Sequence, residues 1–148
     1  MADVRKVYMD NGATTPLFPE VIAEMVDCMQ NAFGRAAHEK LDVARENVAK
    51  LIGAGKEDIF FTSGGTEADN MAILGTAERH PGGHIITSSV EHPAVLDTCK
   101  YLGKNGYDIT YLPVDGYGMV DPDSVKAALR PDTCLVSVMH ANNEVGTI

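Results

Sequence analysis

Short apolar runs alternate with helical patterns along the chain from residue 56 onward. The predicted strands cover residues 58–62, 84–89, 108–112 and 133–139, and the predicted helices cover residues 66–80, 93–103 and 122–130. Strands that alternate with helices of about ten to fifteen residues are typical of βαβ units. Such units build a largely parallel sheet with right-handed crossovers. The sequence therefore predicts an α/β fold with a mostly parallel sheet.

The residues before this alternation have a different pattern. Residues 1–15 are predicted to form an extended N-terminal arm, and two amphipathic helices follow. The apolar stripe of the first helix comprises Leu17, Val21, Met25, Val26 and Met29, and that of the second comprises Leu41, Ala44, Val48, Leu51 and Ile52. No linker or internal repeat interrupts residues 16–148, so we expect one continuous α/β layer. Because the chain stops just past a predicted strand, we expect it to be the first part of a larger domain.

Charge and composition argue against several kinds of partner. The 148 residues include 12 basic and 21 acidic side chains, which give a net charge of -9 at pH 7. No basic patch stands out, so we expect no nucleic acid partner. No apolar run approaches the length of a membrane span, so we expect no membrane partner. Cys28, Cys99 and Cys134 are scattered and odd in number, which favours free core thiols in the cytoplasm.

Metal binding is not predicted. His80 and His84 stand four residues apart, but Pro81-Gly82-Gly83 lies between them. The two imidazoles therefore do not share a helix face, and no third ligand is near them in the sequence.

A glycine turn joins the strand predicted at 58–62 to the next helix, with the sequence Ser63-Gly64-Gly65-Thr66. A strand that turns through small residues into a helix leaves backbone N–H groups pointing outward, and these groups form an anion site with the helix dipole. The hydroxyls of Ser63 and Thr66 add further donors. We interpret the turn as a phosphate site. An ordinary tight turn is the open alternative, because the lysine of a Walker loop is missing.

Two further predicted strand ends carry polar side chains. His92 follows the strand at 84–89, and Asn143 follows the last strand. Ligands of open α/β sheets lie outside the carboxyl ends of the strands, so we expect both residues to share a cleft with the glycine turn. A neutral imidazole at His92 can stack on an aromatic cofactor or relay a proton, and Asn143 can donate to a ligand oxygen. A helix cap at His92 and a plain turn residue at Asn143 are the alternatives.

Four segments of the chain resemble the amino-terminal part of the pyridoxal-phosphate-dependent cysteine desulfurases, in the class V aminotransferase group. The segments are YMDNGATTP (8–16), FTSGGTEADNMAI (61–73), HIITSSVEHPAVLDTC (84–99) and LVSVMHANNEVGTI (135–148). They stand in the family's order and span almost the whole chain. The resemblance implies the three-layer fold type I architecture, with residues 16–148 forming the first, incomplete part of the large domain that binds pyridoxal 5′-phosphate.

The resemblance also implies roles for particular residues. Gly65 and Thr66 would bind the cofactor phosphate, His92 would stack on the pyridine ring and help to move protons, and Asn143 would contact the ring hydroxyl. The family takes sulfur from L-cysteine, gives L-alanine and leaves a persulfide on an enzyme cysteine. That sulfur passes to an acceptor protein, for example in iron-sulfur cluster assembly. Members of the family are homodimers, so the resemblance implies that a second copy of the protein is a partner as well.

The chain departs from the family pattern in two ways. No lysine follows a predicted strand near the cleft, and in the family the Schiff-base lysine and the persulfide cysteine lie beyond Ile148, so we expect the chain alone to be inactive. The segment from Phe33 to His38 is also shorter than in the family. A selenocysteine lyase, another class V aminotransferase and a non-catalytic α/β half-domain that binds a phosphate ligand stay open as alternatives.

Overall fold

A computed structural model describes residues 15–148 of the chain. The predicted N-terminal arm therefore lies, except for Thr15, outside the described residues, as does most of the segment at 8–16. The chain divides between Phe61 and Thr62 into two compact units.

The first unit contains two helices, as the sequence predicts. Helix α1 spans Pro19–Asn31 and begins with a proline at its first turn, where the missing N–H costs no hydrogen bond. Helix α2 spans Arg35–Ile52 and ends at Gly53, whose φ of 71° is the left-handed conformation that glycine adopts without strain. The two helices are joined by an ion-pair cluster, in which the Lys40 ammonium lies 2.6 Å from Glu24 and 2.9 Å from Asp27.

The apolar stripes of α1 and α2 remain largely exposed. α1 has no buried residue, and Ala49 is the one buried residue of α2. Leu51, on the predicted apolar face of α2, is 84% exposed. The period of the apolar residues thus identifies the helices correctly, but their stripes are not covered within this unit. None of the helices formed by residues 15–148 is long and apolar enough to cross a membrane.

The strand predicted at 58–62 is absent. A short 3₁₀ helix covers Lys56–Asp58 instead, and the residues that follow it form no strand. Phe60 and Phe61 are exposed, although an apolar run of this kind is typical of a buried strand. A strand exists only through hydrogen bonds to a neighbouring strand, and local sequence does not supply that partner.

The second unit confirms the predicted α/β class. In chain order it contains α3 (Gly65–Arg79), β1 (His84–Ser88), α4 (Pro93–Lys104), β2 (Asp108–Leu112), α5 (Pro122–Ala128) and β3 (Thr133–Ser137). The strand order is β2-β1-β3, and β1 runs parallel to both neighbours. The carboxyl ends of the three strands therefore meet at one edge of the sheet, which is the edge where α/β proteins bind ligands.

The core of this unit lies between the sheet and helices α3 and α4. All five residues of β1 are buried, as expected for the central strand of a sheet that is covered on both faces. The core cluster comprises Ile73, Ala77, Ile85, Val95, Cys99 and Leu102. This packing fixes α3 and α4 side by side, with the beginning of α4 directly after the carboxyl end of β1.

Each of the three cysteines lies within the described residues and is a free thiol. Cys99 is a buried core thiol, as predicted, and Cys134 packs against the same cluster. Cys28 is only half-buried on α1, so the prediction of a core thiol does not hold there.

Candidate functional site

An open cleft of about 430 Å³ is lined by residues of α3 and α4 and by His92, which precedes α4. Its lining comprises Thr66, Asn70, Leu74, His92, Pro93, Ala94, Asp97, Thr98 and Tyr101. The cleft thus brings together Thr66 and His92, two residues that the sequence placed after different strands. A volume of this size is within the range of about 300–1,000 Å³ that small-molecule sites occupy.

The first turn of α3 leaves backbone donors free at one end of the cleft. Gly64 precedes the helix, and no side chain caps it. The N–H groups of Gly65 and Thr66 have no partner within the helix, because they belong to its first turn. No atom lies within 4 Å of a Cβ placed on Gly64 or Gly65, so the space beside this backbone is open. Gly64 has extended backbone with a φ of 166°, and neither glycine lies in the left-handed region, so the turn does not depend on left-handed backbone.

Ser63 is engaged within the chain. The Glu67 carboxylate accepts hydrogen bonds from the Ser63 N–H at 2.6 Å and from the Ser63 hydroxyl at 2.7 Å. These two bonds hold the pKa of Glu67 below its usual range, since they favour the ionised carboxylate. The prediction that the Ser63 hydroxyl closes around a phosphate is therefore not supported, because that hydroxyl already donates to Glu67.

His92 is both a helix cap and a cleft residue. Its Nδ1 accepts a hydrogen bond from the Ala94 N–H at 3.1 Å, and this bond caps α4 ahead of Pro93. Because Nδ1 accepts from a backbone donor, the proton of the neutral ring resides on Nε2. The side chain is exposed and lines the cleft. The two roles weighed from the sequence are therefore compatible, and the cap orients the ring that faces the cleft.

A polar link between α3 and α4 was not foreseen from the sequence. The Thr98 hydroxyl donates to Asn70 Oδ1 at 2.7 Å, and Asn70 Nδ2 donates to the Thr66 carbonyl at 2.8 Å. Asn70 and Thr98 thereby connect the first turn of α3 to the wall of the cleft. A signal was present, since each is a polar residue on the side of its helix that carries buried apolar neighbours such as Ile73 and Val95.

Asn143 lies on the turn that follows β3, and it does not line the cleft of Thr66 and His92. It is exposed, and its Nδ2 donates to Glu144 Oε1 at 3.2 Å. The buried residue of the pair is Asn142, whose Oδ1 accepts from the N–H groups of Glu144 and Val145 at 2.9 and 3.0 Å. Asn142 thus forms the turn and leaves the side chain of Asn143 at the surface.

The turn that carries Asn143 is nevertheless bonded to the connection that carries His92. Asn142 Nδ2 donates to the Val90 carbonyl at 3.3 Å, and Val90 lies two residues before His92. The structure therefore places Thr66 and His92 in one cleft and Asn143 on a neighbouring loop at the same sheet edge.

Comparisons with known proteins identify the family of the chain from its sequence. The sequence model of the Aminotransferase class-V family matches residues 7–148. The chain is 53% identical to the cysteine desulfurase IscS of Dictyoglomus turgidum, over 97% of this chain and 39% of that protein. The alignment runs over 155 positions, more than the 148 residues of this chain, so the relative has residues without a counterpart here. The chain spans about 39% of the length of this curated relative.

Solved structures show the same likeness. The chain superposes on a NifS-like protein with a TM-score of 0.92 and 41% identity, covering 97% of this chain and 43% of that one. It also superposes on SspA in complex with cysteine, with a TM-score of 0.84 and 36% identity, covering 93% of this chain and 43% of that one. Because the family match extends over nearly the whole sequence, this chain belongs to the class V aminotransferase family.

Proposed function

We propose that this protein is a cysteine desulfurase that depends on pyridoxal 5′-phosphate. In the proposed reaction the C–S bond of L-cysteine breaks, the sulfur passes to an enzyme cysteine thiol as a persulfide, and the carbon skeleton leaves as L-alanine. The observation that carries the proposal is the cleft that Thr66, in the open first turn of α3, and His92 line together. The similarity to IscS and to NifS-like proteins supports the same assignment.

The residues at the first turn of α3 fit the phosphate of the cofactor. The N–H groups of Gly65 and Thr66 and the hydroxyl of Thr66 are donors at the positive end of a helix, which is the chemistry that binds phosphate. The open space beside Gly65 lets an anion approach the backbone closely. The Glu67 carboxylate in the same turn accepts hydrogen bonds from Ser63 and none from the N–H groups of Gly65 or Thr66.

His92 supplies the second group that the cofactor needs. Pyridoxal phosphate, when bound, supplies an electron sink that stabilises negative charge on the carbon skeleton of an amino acid. The cap bond to Ala94 orients the imidazole and occupies Nδ1 as a hydrogen-bond acceptor. Nε2 is then the atom that holds or transfers a proton at the mouth of the cleft, while the ring face is available for stacking.

Other parts of the reaction are not assigned to residues of this chain. No lysine is among the residues that line the described cleft. Cys99 and Cys134 belong to the core or pack against it, and burial raises the pKa of the Cys99 thiol, which disfavours the reactive thiolate. We propose Asn143 as a contact for the cofactor ring or the substrate, since its exposed amide lies on the loop bonded to the His92 connection.

The partners proposed for the whole protein follow from its relatives. The assignment of L-cysteine as the substrate is supported by the similarity to SspA, which was solved in complex with cysteine. A homodimer, a sulfur-acceptor protein and a part in iron-sulfur cluster assembly are proposals that rest on the likeness to IscS proteins. A cytoplasmic location is a proposal that rests on the scattered, odd number of cysteines. Light scattering on the purified full-length protein tests the dimer directly.

The proposed reaction is tested with purified full-length protein, pyridoxal phosphate and L-cysteine. We expect L-alanine and transferable sulfur to form in equal amounts, measured by amino-acid chromatography and by sulfide release with a thiol reductant. L-Selenocysteine, run in parallel, distinguishes a selenocysteine lyase. A protein that binds the cofactor but gives no alanine from L-cysteine would contradict the proposal.

A further inference from the structure

The carboxylate of Glu91 is buried next to the proposed site. Its residue is 7% exposed, and no cation pairs with it within residues 15–148. A buried carboxylate without a cation is costly, and hydrogen bonds must offset that cost. Glu91 immediately precedes His92, so the position of this carboxylate bears on the position of the imidazole.

Two hydrogen bonds to Glu91 connect the ends of two strands. Its Oε1 accepts from the hydroxyl of Ser88, the last residue of β1, at 3.0 Å. The same oxygen accepts from the N–H of Met139, two residues past the end of β3, at 2.6 Å. One carboxylate oxygen therefore joins the connection between β1 and α4 to the loop that follows β3.

A second bond lies beside this junction. Asn142 Nδ2 donates to the Val90 carbonyl, so the two loops are attached at Val90 as well as at Glu91. One loop carries His92 and the other carries Asn143. The bonds of Glu91 and Asn142 therefore set the distance between His92 and Asn143, which have different roles in the proposed function.

We propose that Glu91 is a positioning residue of the proposed active site. Its carboxylate holds the loop of Asn143 against the connection that carries His92, and it acts through those residues without touching a ligand. This inference rests on the proposed function. The coupling of the two loops does not depend on the proposed function, because it follows from the contacts of Glu91 alone.

The test uses two substitutions of Glu91 in the full-length protein. Glu91→Met fills a similar volume and removes the charge, so it should fold, but it leaves the Ser88 hydroxyl and the Met139 N–H without an acceptor. Glu91→Gln keeps an oxygen that can accept both bonds. Glu78→Met is the matched control, because Glu78 is exposed on α3 and its substitution makes the same change in charge.

We expect Glu91→Met to lower kcat/KM for L-cysteine by about 10- to 100-fold, because small displacements of active groups have effects of that size. The visible circular dichroism of bound pyridoxal phosphate should change with it, and Glu91→Gln should restore both properties. Amide hydrogen exchange, measured without cofactor, should be faster in residues 88–93 and 139–145 of Glu91→Met alone. A Glu91→Met protein with wild-type kcat/KM, or with wild-type exchange in both segments, would overturn the proposal.

The exchange measurement separates this inference from the proposed function. If the wild-type protein does not convert L-cysteine, the proposed function fails, and exchange alone decides whether Glu91 couples the loops. If the wild-type protein is active and Glu91→Met exchanges normally in both segments, the proposed function stands and the positioning role of Glu91 is wrong.

Discussion

The Glu67 carboxylate of α3 folds back onto Ser63, accepting hydrogen bonds from both the backbone N–H and the hydroxyl of that residue. An acidic residue in the first turn of a phosphate-binding helix would repel the ligand if its charge faced the free N–H groups. The bonds to Ser63 hold the carboxylate on the chain that enters the helix. The same side chain therefore stabilises the helix terminus and leaves the donors of Gly65 and Thr66 open.

Substitution of Glu67 tests this arrangement through its pH dependence. The pKa of Glu67 is lowered in the folded protein, so its contribution to stability is present above the unfolded pKa of about 4.3 and is lost as the pH falls through the folded value. We expect wild type to have a higher Tm than Glu67→Gln at pH 7 and the difference to shrink as the pH falls below the unfolded pKa. A Tm difference that stays constant from pH 7 to pH 3 would contradict this account.

Two substitutions of His92 separate its two roles. His92→Asn keeps a side-chain acceptor for the Ala94 N–H but removes the ring, so we expect the Tm to be preserved and kcat to fall by about 100-fold or more. His92→Phe keeps a ring but loses the cap, and should lower the free energy of unfolding by about 1 kcal/mol. Thermal unfolding and cysteine turnover of the full-length variants provide both readouts. Full activity in His92→Asn would show that the imidazole is only a cap.

Thr66→Val tests the phosphate site. The substitution removes one hydroxyl donor, and a hydrogen bond to a charged group contributes about 1.5–3 kcal/mol, so the Kd for pyridoxal phosphate should rise by about tenfold or more. Thr76→Val is the control, because Thr76 lies on the same helix and its hydroxyl donates to the Ala72 carbonyl. Absorbance titrations of the full-length proteins measure the Kd. An equal rise in Kd with both substitutions would show that the effect comes from a change in helix α3 and not from the loss of a hydrogen bond to the phosphate.

Two buried threonines should respond in opposite ways to loss of their hydroxyl. Thr87 Oγ1 is buried in β1 with no hydrogen-bond partner among the described residues, so Thr87→Val should raise the free energy of unfolding by about 1 kcal/mol. The Thr98 hydroxyl lies within hydrogen-bond distance of two acceptors, Asn70 Oδ1 and the Ala94 carbonyl, so Thr98→Val should lower the free energy of unfolding by about 1–2 kcal/mol. Urea denaturation measures both, and a loss of stability in Thr87→Val equal to that of Thr98→Val would contradict the assignment.

Much of the second unit could be predicted from the sequence, because prolines and short apolar runs mark the beginnings of its helices and the positions of its strands. Pro93 and Pro122 each mark the first turn of a helix, where proline is favoured, and both helices begin there. The predicted strand at 108–112 matches β2 at both ends. The strand predicted at 58–62 was wrong, because an apolar run indicates burial but does not supply a hydrogen-bonded neighbour.

The site was predicted less completely than the fold. The glycine turn and His92 carry recognisable local signals, and the structure brings Thr66 and His92 into one cleft. The contacts of Asn70 and Glu91 join segments far apart in the sequence, so no local pattern contains them. Within the Asn142–Asn143 pair, only the tertiary bond to Val90 shows which amide forms the turn.

The most direct test of the central claim is a crystal structure of the full-length protein loaded with pyridoxal phosphate. We expect phosphate oxygens to lie about 3 Å from the backbone nitrogens of Gly65 and Thr66, with the cofactor ring against the imidazole of His92. A cofactor whose phosphate binds elsewhere, with the first turn of α3 facing only water, would contradict the account.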